Sequence, residues 1–275
     1  MSAAPQNTLL GKTTDYVDTY NPGLLTPIPR SLGRDSVGMS DFRGTDIWRL
    51  YEITWINERG IPQAAAGEIH VPASSPCIVE SKSLKLYIGS LTQTVIASPE
   101  AAAELIRRDV GACVGAGIGV HLSLLSDWRS EVVPMPGILL EEDPGDLVCT
   151  VYEPDASLLR HADGAGETIE ETLVSNLLRS RCPVTGQPDH ASVSVKYRGR
   201  AIDRRALLAY IISYRRHQGF HEQCVEQMYA DIMNRLHPES LSVFACFTRR
   251  GGIDISPFRS SDADMPAEVI RTLRQ

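Results

Sequence analysis

The run Ile47-Trp48-Arg49-Leu50-Tyr51-Glu52-Ile53-Thr54-Trp55 alternates large apolar with polar side chains, and this period of two constrains the fold more than any other feature of the chain. A segment of that pattern is a strand with one face buried, and it needs a partner. Residues 65–72 are expected to return as its antiparallel neighbour. Ser98-Pro99-Glu100 then reads as a helix start, with Ser98 as N-cap and Pro99 at the first position of a helix over about 100–112. Alternation resumes in Ile118-Gly119-Val120-His121-Leu122-Ser123-Leu124. Beyond the acidic, turn-prone Glu141-Glu142-Asp143-Pro144-Gly145-Asp146 the order of elements begins again. We expect a helix at about 168–180, a strand at 191–198, helices at about 203–216 and 220–236, and strands at 241–248 and 252–256. The expected class is α+β in two halves of similar size, 45–140 and 141–275. Residues 1–44, rich in Gly, Pro, Thr and Asp, are read as an irregular arm laid over them. A duplication would rest on element order alone.

With 43% hydrophobic residues in 275 there is enough apolar material for a real core. No stretch approaches the roughly 18 apolar residues of a membrane span, and Met1-Ser2-Ala3-Ala4-Pro5-Gln6-Asn7 has neither a basic flank nor an apolar core. The expectation is a cytoplasmic protein without a membrane partner. The six cysteines, Cys77, Cys113, Cys149, Cys182, Cys224 and Cys246, contain no Cys-x-x-Cys pair. They read as reduced thiols rather than a disulfide framework or a zinc site, and no metal is expected. The net charge of −7 is uneven: residues 1–195 hold 14 Lys/Arg against 25 Asp/Glu, while 196–275 hold 13 against 9. A basic last third in an acidic chain suits a cofactor phosphate better than a long nucleic acid, so none is expected as partner.

Four clusters can carry chemistry. Cys182-Pro183-Val184-Thr185-Gly186-Gln187-Pro188-Asp189 places a thiol and a carboxyl at the ends of a loop stiffened by two prolines, a nucleophile with a proton source. Phe220-His221-Glu222-Gln223-Cys224 follows Gly219 and puts an aromatic, a base and a carboxylate at a helix start. Glu80-Ser81-Lys82-Ser83-Leu84-Lys85-Leu86-Tyr87 follows the strand-like Cys77-Ile78-Val79, where a strand-to-helix turn offers one carboxylate and two ammonium groups. Thr248-Arg249-Arg250-Gly251-Gly252 is a tight turn that lets guanidinium and backbone approach an anion. Each has a plain alternative: a buried free cysteine and a turn, an amphipathic helix start, a solvated turn, an exposed arginine pair. Trp48, Tyr51 and Trp55 are expected in the core or an interface. Arg198, Arg200, Arg204, Arg205, Arg215 and Arg216 are expected on a solvated face. A Rossmann glycine fingerprint is absent, so a nicotinamide cofactor would bind without that fold.

Taken together and in this order, the four clusters resemble the long, two-module form of the NADPH-dependent 7-cyano-7-deazaguanine reductases, nitrile reductases of queuosine tRNA-modification biosynthesis. Residues 80–87 look like that family's signature and 182–189 like its catalytic loop. Phe220-His221-Glu222-Gln223 and Arg249-Arg250-Gly251-Gly252 are similar as well. The likeness extends to Leu10-Gly11-Lys12, Ile28-Pro29-Arg30-Ser31 and Gly44-Thr45-Asp46-Ile47-Trp48, and is weakest over about 126–165. The resemblance implies two tandem tunnelling-fold (T-fold) modules, antiparallel sheets with helices packed on one side, and a homodimer. It implies Cys182, Asp189 and His221 as catalytic residues. Val79, Glu80, Ser81, Phe220, His221 and Glu222 would meet the substrate. Ser81, Lys82, Ser83, Lys85, Arg249, Arg250 and Gly251 would meet NADPH.

The chemistry then expected is addition of the Cys182 thiolate to the nitrile carbon to give a thioimidate. Asp189, either held protonated or sharing the thiol's proton, would protonate nitrogen, with His221 the next candidate. Two hydride transfers complete a four-electron reduction to the aminomethyl product. Glu80 and Glu222 would accept from the N–H edge of the deazaguanine and Phe220 would stack on its face. Two other readings are a cysteine hydrolase of nitriles or amides, which would release ammonia and ignore NADPH, and a non-catalytic RNA-binding module.

Overall fold

The computed structural model describes residues 16–275. The expectations for the chain start and for Leu10-Gly11-Lys12 lie outside the described residues. The strands are β1 (Pro27–Pro29), β2 (Gly44–Ile56), β3 (Pro62–Pro72), β4 (Cys77–Val79), β5 (Gly119–Leu124), β6 (Ile138–Leu139), β7 (Thr168–Arg181), β8 (Pro188–Arg200), β9 (Ser240–Phe247) and β10 (Ile253–Ser260). The α-helices are α1 (Ser31–Val37), α2 (Ser81–Gly89), α3 (Pro99–Val114), α4 (Arg204–Ser213) and α5 (His221–Leu236). Eight strands form one sheet in the order β5-β3-β2-β10-β9-β8-β7-β6, antiparallel throughout except for the short parallel pair β6 and β7. Beside it lies a two-stranded ribbon of β1 and β4.

Strand alternation sorts the core into layers. Trp48, Leu50, Ile253 and Ile255 pack with α2 and α3, and Leu173, Ala245 and Phe247 pack with α4 and α5. Their neighbours Ile47, Val174, Phe244 and Cys246 point to the other face, where Met135 and Ile270 of irregular segments cover them. The helices therefore occupy one face of the sheet, an α+β arrangement in two layers. Trp48 and Trp55 are buried as expected. Gly44 opens β2 where β10 passes so close that a Cβ would sit 2.1 Å from the Phe258 carbonyl oxygen. No larger residue fits there, least of all at its φ of +133°.

Ser98 caps α3 as its sequence indicates, its hydroxyl accepting from the Ala101 N–H at 3.2 Å with Pro99 at the first position. One expectation is overturned: residues 168–181 are strand, not helix. A bulge between Ser175 and Leu178 breaks the alternation, and it leaves Leu173, Val174, Leu177 and Leu178 at the spacings of three and four that a helical stripe has. Twelve residue pairs with β8 over this stretch decide for the strand. The described part of the arm, from residue 16, is also more ordered than its composition suggests. It contributes β1 and α1, and it buries Arg30 and Arg34, which lie in no apolar pattern.

Candidate active site

A cleft of about 700 Å³, its open mouth included, lies on the helix-bearing side of the sheet. Cys182 enters it from the loop after β7. Its N–H donates to the Gln187 carbonyl at 2.9 Å and its carbonyl accepts from the Gly186 N–H at 3.0 Å, a closed turn with Gly186 at φ +68°. Asp189 lies at the start of β8. Alternation along β8 turns Asp189 toward the helices with Ala191 and Val193, and turns His190 away. Phe220, His221 and Glu222 come from the start of α5, fixed by Gln223, whose side-chain oxygen accepts the Phe220 N–H at 3.1 Å. The His221 ring lies flat on Phe247 at 3.9 Å and 5°. Val79, Ser81 and Lys85 form the wall opposite, with Arg250 from the turn between β9 and β10.

The charges are mutually arranged. Asp189 is paired with Arg250, which also donates to Gln187, and its Oδ2 lies 3.5 Å from His221 Nε2. Burial raises the Asp189 carboxyl's pKa, but His221 and Arg250 outweigh it, so the group is held below its usual value and ionised. Burial lowers the Lys85 pKa, with Arg250 acting in the same direction and Glu80, Asp189 and Cys182 opposing. Glu222 is pushed up to about 8, by burial first and then by the Asp46 carboxylate, against Arg30 and Arg259. Two polar atoms, Glu222 Oε1 and His221 Nδ1, are buried with no hydrogen-bond partner among the described residues. Other buried polar atoms among these residues lack a partner too, Trp55 Nε1 and Thr272 Oγ1 among them, but these two belong to residues lining the cleft, where a ligand could satisfy them.

Of the residues expected from sequence, Val79, Ser81, Lys85, Cys182, Asp189, Phe220, His221, Glu222 and Arg250 line this cleft. Glu80, Lys82, Ser83, Arg249 and Gly251 do not. Glu80 is fully buried and caps α2, accepting from the Lys82 and Ser83 N–H groups at 2.8 and 2.7 Å. Burial raises its pKa against those two bonds. Ser83 is equally buried, donating to the Glu80 carbonyl at 2.7 Å and accepting from the Thr26 N–H at 3.1 Å, so it serves the helix start rather than the cleft wall. Arg249 and Arg250, in the turn between β9 and β10, point to different places. The Arg249 guanidinium lies 4.5 Å over the ring of Tyr51, whose hydroxyl donates to Asp254 at 2.5 Å on the reverse face of the sheet. Gly251, at φ +59°, backs the cleft differently: a Cβ there would stand 3.3 Å from Lys85 Cε and Nζ, so glycine leaves room for the ammonium. Among the described residues no three His, Cys, Asp or Glu side chains converge to hold a metal ion, and no helix is long and apolar enough to cross a membrane.

Sequence reading missed the support behind the site. Arg30, Arg34 and Arg259 meet Asp46 and Glu226 in a buried network. Arg259 Nη1 donates to Asp46 at 2.8 Å and its Nη2 to Glu226 at 2.7 Å, and Arg34 grips both Glu226 oxygens at 3.0 and 2.7 Å. Only the pairing of lone arginines in the arm with acids in apolar strands could have signalled it.

The family described as "Nitrile reductase, 7-cyano-7-deazaguanine-reductase N-term" matches residues 16–122, and the family described as "QueF-like protein" matches residues 188–265. Curated relatives named NADPH-dependent 7-cyano-7-deazaguanine reductase align along the whole chain. That of Burkholderia orbicola (strain MC0-3) is 50% identical over 98% of this chain and 99% of its own length. Those of Burkholderia multivorans and Burkholderia pseudomallei are 48% and 47% identical, each over 98% of this chain and 99% of their own. A solved structure titled archaeosine synthase QueF-Like in the apo form is 19% identical over 36% of this chain and 97% of its own, with a TM-score of 0.31. By full-length identity at this level, the chain belongs to the family of NADPH-dependent 7-cyano-7-deazaguanine reductases.

Proposed function

We propose that this chain reduces the nitrile of 7-cyano-7-deazaguanine to the aminomethyl group with two equivalents of NADPH and two protons, through a thioimidate on Cys182, in queuosine biosynthesis. The observation that carries the reading is the convergence in one cleft of a loop thiol, an ionised carboxylate beside an imidazole, and a buried carboxylate oxygen without a partner. Sulfur adds to the nitrile carbon as the Cys182 proton passes to Asp189, whose ionised state makes it an acceptor at this step. The same carboxyl then gives that proton to the developing nitrogen, with His221 within reach of Asp189 to follow. Of the two alternatives offered by sequence, this environment supports a shared thiol proton rather than a carboxyl protonated at rest. Glu222 accepts from the N–H edge of the ring and Phe220 covers its face, with Val79 and Ser81 opposite and Glu80 holding the α2 start in register.

The residues present fit a phosphate-bearing cofactor. Ser81 at the start of α2, Lys85 across Gly251, and Arg250 put donors and positive charge along one wall of the cleft, and Lys82, outside that lining, would contribute only by its charge. Arg249, on the reverse face, would contribute only by its charge. NADPH, when bound, supplies the hydride at each of the two reductions. Pro183 and Phe220 add apolar surface to the cleft that holds Cys182. We further propose that the sheet comprises two T-fold modules, 45–140 and 141–275, with 1–44 as an arm, and that the protein is a cytoplasmic homodimer without a nucleic-acid partner.

The test is NADPH oxidation followed by absorbance with the nitrile, alongside intact mass of protein plus nitrile without NADPH. Two NADPH per nitrile and an adduct of the nitrile's mass, lost in Cys182→Ala, are expected. Ammonia release without NADPH would establish the hydrolase instead, and no adduct would refute the covalent step.

A further inference from the structure

Two buried atoms of opposite character make no hydrogen bond among the described residues: Glu222 Oε1, on a residue of the cleft lining, and Arg30 Nη1, outside that lining. They share neighbours. Arg30 Nη2 donates to Asp46 at 2.6 Å and its Nε to Ser75 at 3.1 Å, while Nη1 lies 3.5 Å from Glu226 Oε1. Glu226 is one helical turn beyond Glu222, on the same face of α5. Three guanidiniums, Arg30, Arg34 and Arg259, thus face two carboxylates, Asp46 and Glu226, a surplus of one positive charge that an ionised Glu222 would cancel. A net buried charge is unfavourable, so the arginines favour ionised Glu222, whereas burial and Asp46 oppose it. A ligand edge bearing N–H donors settles that balance.

We propose that Arg30, contributed by the arm, is a positioning residue for substrate recognition, its guanidinium, whose Nη1 makes no hydrogen bond among the described residues, supplying countercharge that favours the ionised, accepting form of Glu222 when the N–H edge of the substrate enters. The inference rests on the reading of Glu222 as substrate acceptor. Binding then transfers one proton from the Glu222 carboxyl to solvent. The charged and titratable groups about Glu222 are Asp46 from β2, Arg259 from β10, Arg30 from the arm, and His221, Cys224 and Glu226 from its own helix; Lys85, Asp189, Arg250 and Asp254 line the same cleft.

The experiment is calorimetric titration of the nitrile into full-length Cys182→Ala protein, which binds without forming the adduct, from about pH 6 to about pH 9.5 in two buffers of different ionisation enthalpy. Nearly one proton released per nitrile near pH 7, and affinity rising up to about tenfold per pH unit before a plateau, are expected. Adding Arg30→Gln should weaken binding near pH 7 by about tenfold or more and move the bend to higher pH. Arg30→Lys, which keeps the charge but not the fork, should lose roughly threefold. Adding Glu222→Gln should abolish proton release. If Glu222→Gln leaves affinity unchanged, the reading of Glu222 as acceptor fails. If Glu222→Gln weakens binding but Arg30→Gln keeps the parent's affinity and bend, the role of Arg30 is overturned. Should Arg30→Gln not fold, an unaltered affinity and bend in folded Arg30→Lys would overturn it equally.

Discussion

Replacing Glu226 by Gln should be among the most damaging isosteric changes in the protein. Its carboxylate accepts from Arg34 and Arg259 and lies within 3.5 Å of Arg30, with its side chain only 2% exposed. Gln keeps the volume but leaves three buried guanidiniums against Asp46 alone. Removing one partner from a buried ion network costs about 3–5 kcal/mol, because the stranded charges cannot reach water. At roughly 2 °C per kcal/mol for a chain of this size, the unfolding temperature should fall by about 6–10 °C. The pH dependence is a second readout. Arg259 and Arg34 depress the Glu226 carboxyl below its ordinary value despite burial, which acts the other way. A depressed carboxyl stabilises the fold above its unfolded pKa, and this contribution is lost as pH falls through the lower folded value. Glu226→Gln should therefore lose most stability near neutral pH and little in acid. Scanning calorimetry of both proteins near pH 7 and near pH 3 measures this, with Asp264→Asn, whose partner Arg43 is exposed, as a control expected to change nothing. A shift of under about 2 °C near pH 7 would refute the argument that this network depends on the charge of Glu226.

Asp189→Asn should leave the fold intact and slow formation of the nitrile adduct by about 10²–10⁴, since it removes the acceptor for the thiol proton; mass spectrometry with time resolution reads the rate. Because the Asp189 carboxyl is held below its usual value, the wild-type adduct rate should hold steady through neutral pH and fall only in acid, a limb absent from the variant. Gly251→Ala forces a strained φ and a 3.3 Å contact onto Lys85, so KM for NADPH should rise several-fold while nitrile binding to the free enzyme is unchanged by calorimetry. Ser98→Ala should cost about 1 kcal/mol through loss of the α3 cap, a fall of roughly 2 °C in unfolding temperature without effect on turnover.

Much of the sheet was legible because its strands bury one face. β2, β3, β5 and β8 to β10 show themselves by alternation or by β-rich runs, and α3 by its Ser-Pro cap. β7 was not, because the bulge at Ser175 to Leu178 resets the period and leaves Leu173, Val174, Leu177 and Leu178 at spacings of three and four, as on a helix face. The cleft residues were legible where reactive types cluster locally, as at Cys182 to Asp189 and Phe220 to Glu222. Arg30, Asp46, Glu226 and Arg259 were not: they are spread across more than 200 residues, and each taken singly reads as a solvated charge. Their meaning lies in contacts that only the folded chain creates.

The same alternation that builds the core also assembles the site, and this ties the two together. Along β8, Asp189 shares the inward face with Ala191 and Val193, and His190 takes the outward one. At the β9 to β10 turn, Arg250 reaches the cleft while Arg249 lies on Tyr51 behind the sheet. A one-residue slip of β8 would put His190 where Asp189 stands, opposite Arg250, and would turn Ala191 and Val193 out of the core. The burial that fixes strand register therefore fixes the Asp189–Arg250 pair, and with it the ionised carboxylate on which the proton transfer from Cys182 depends.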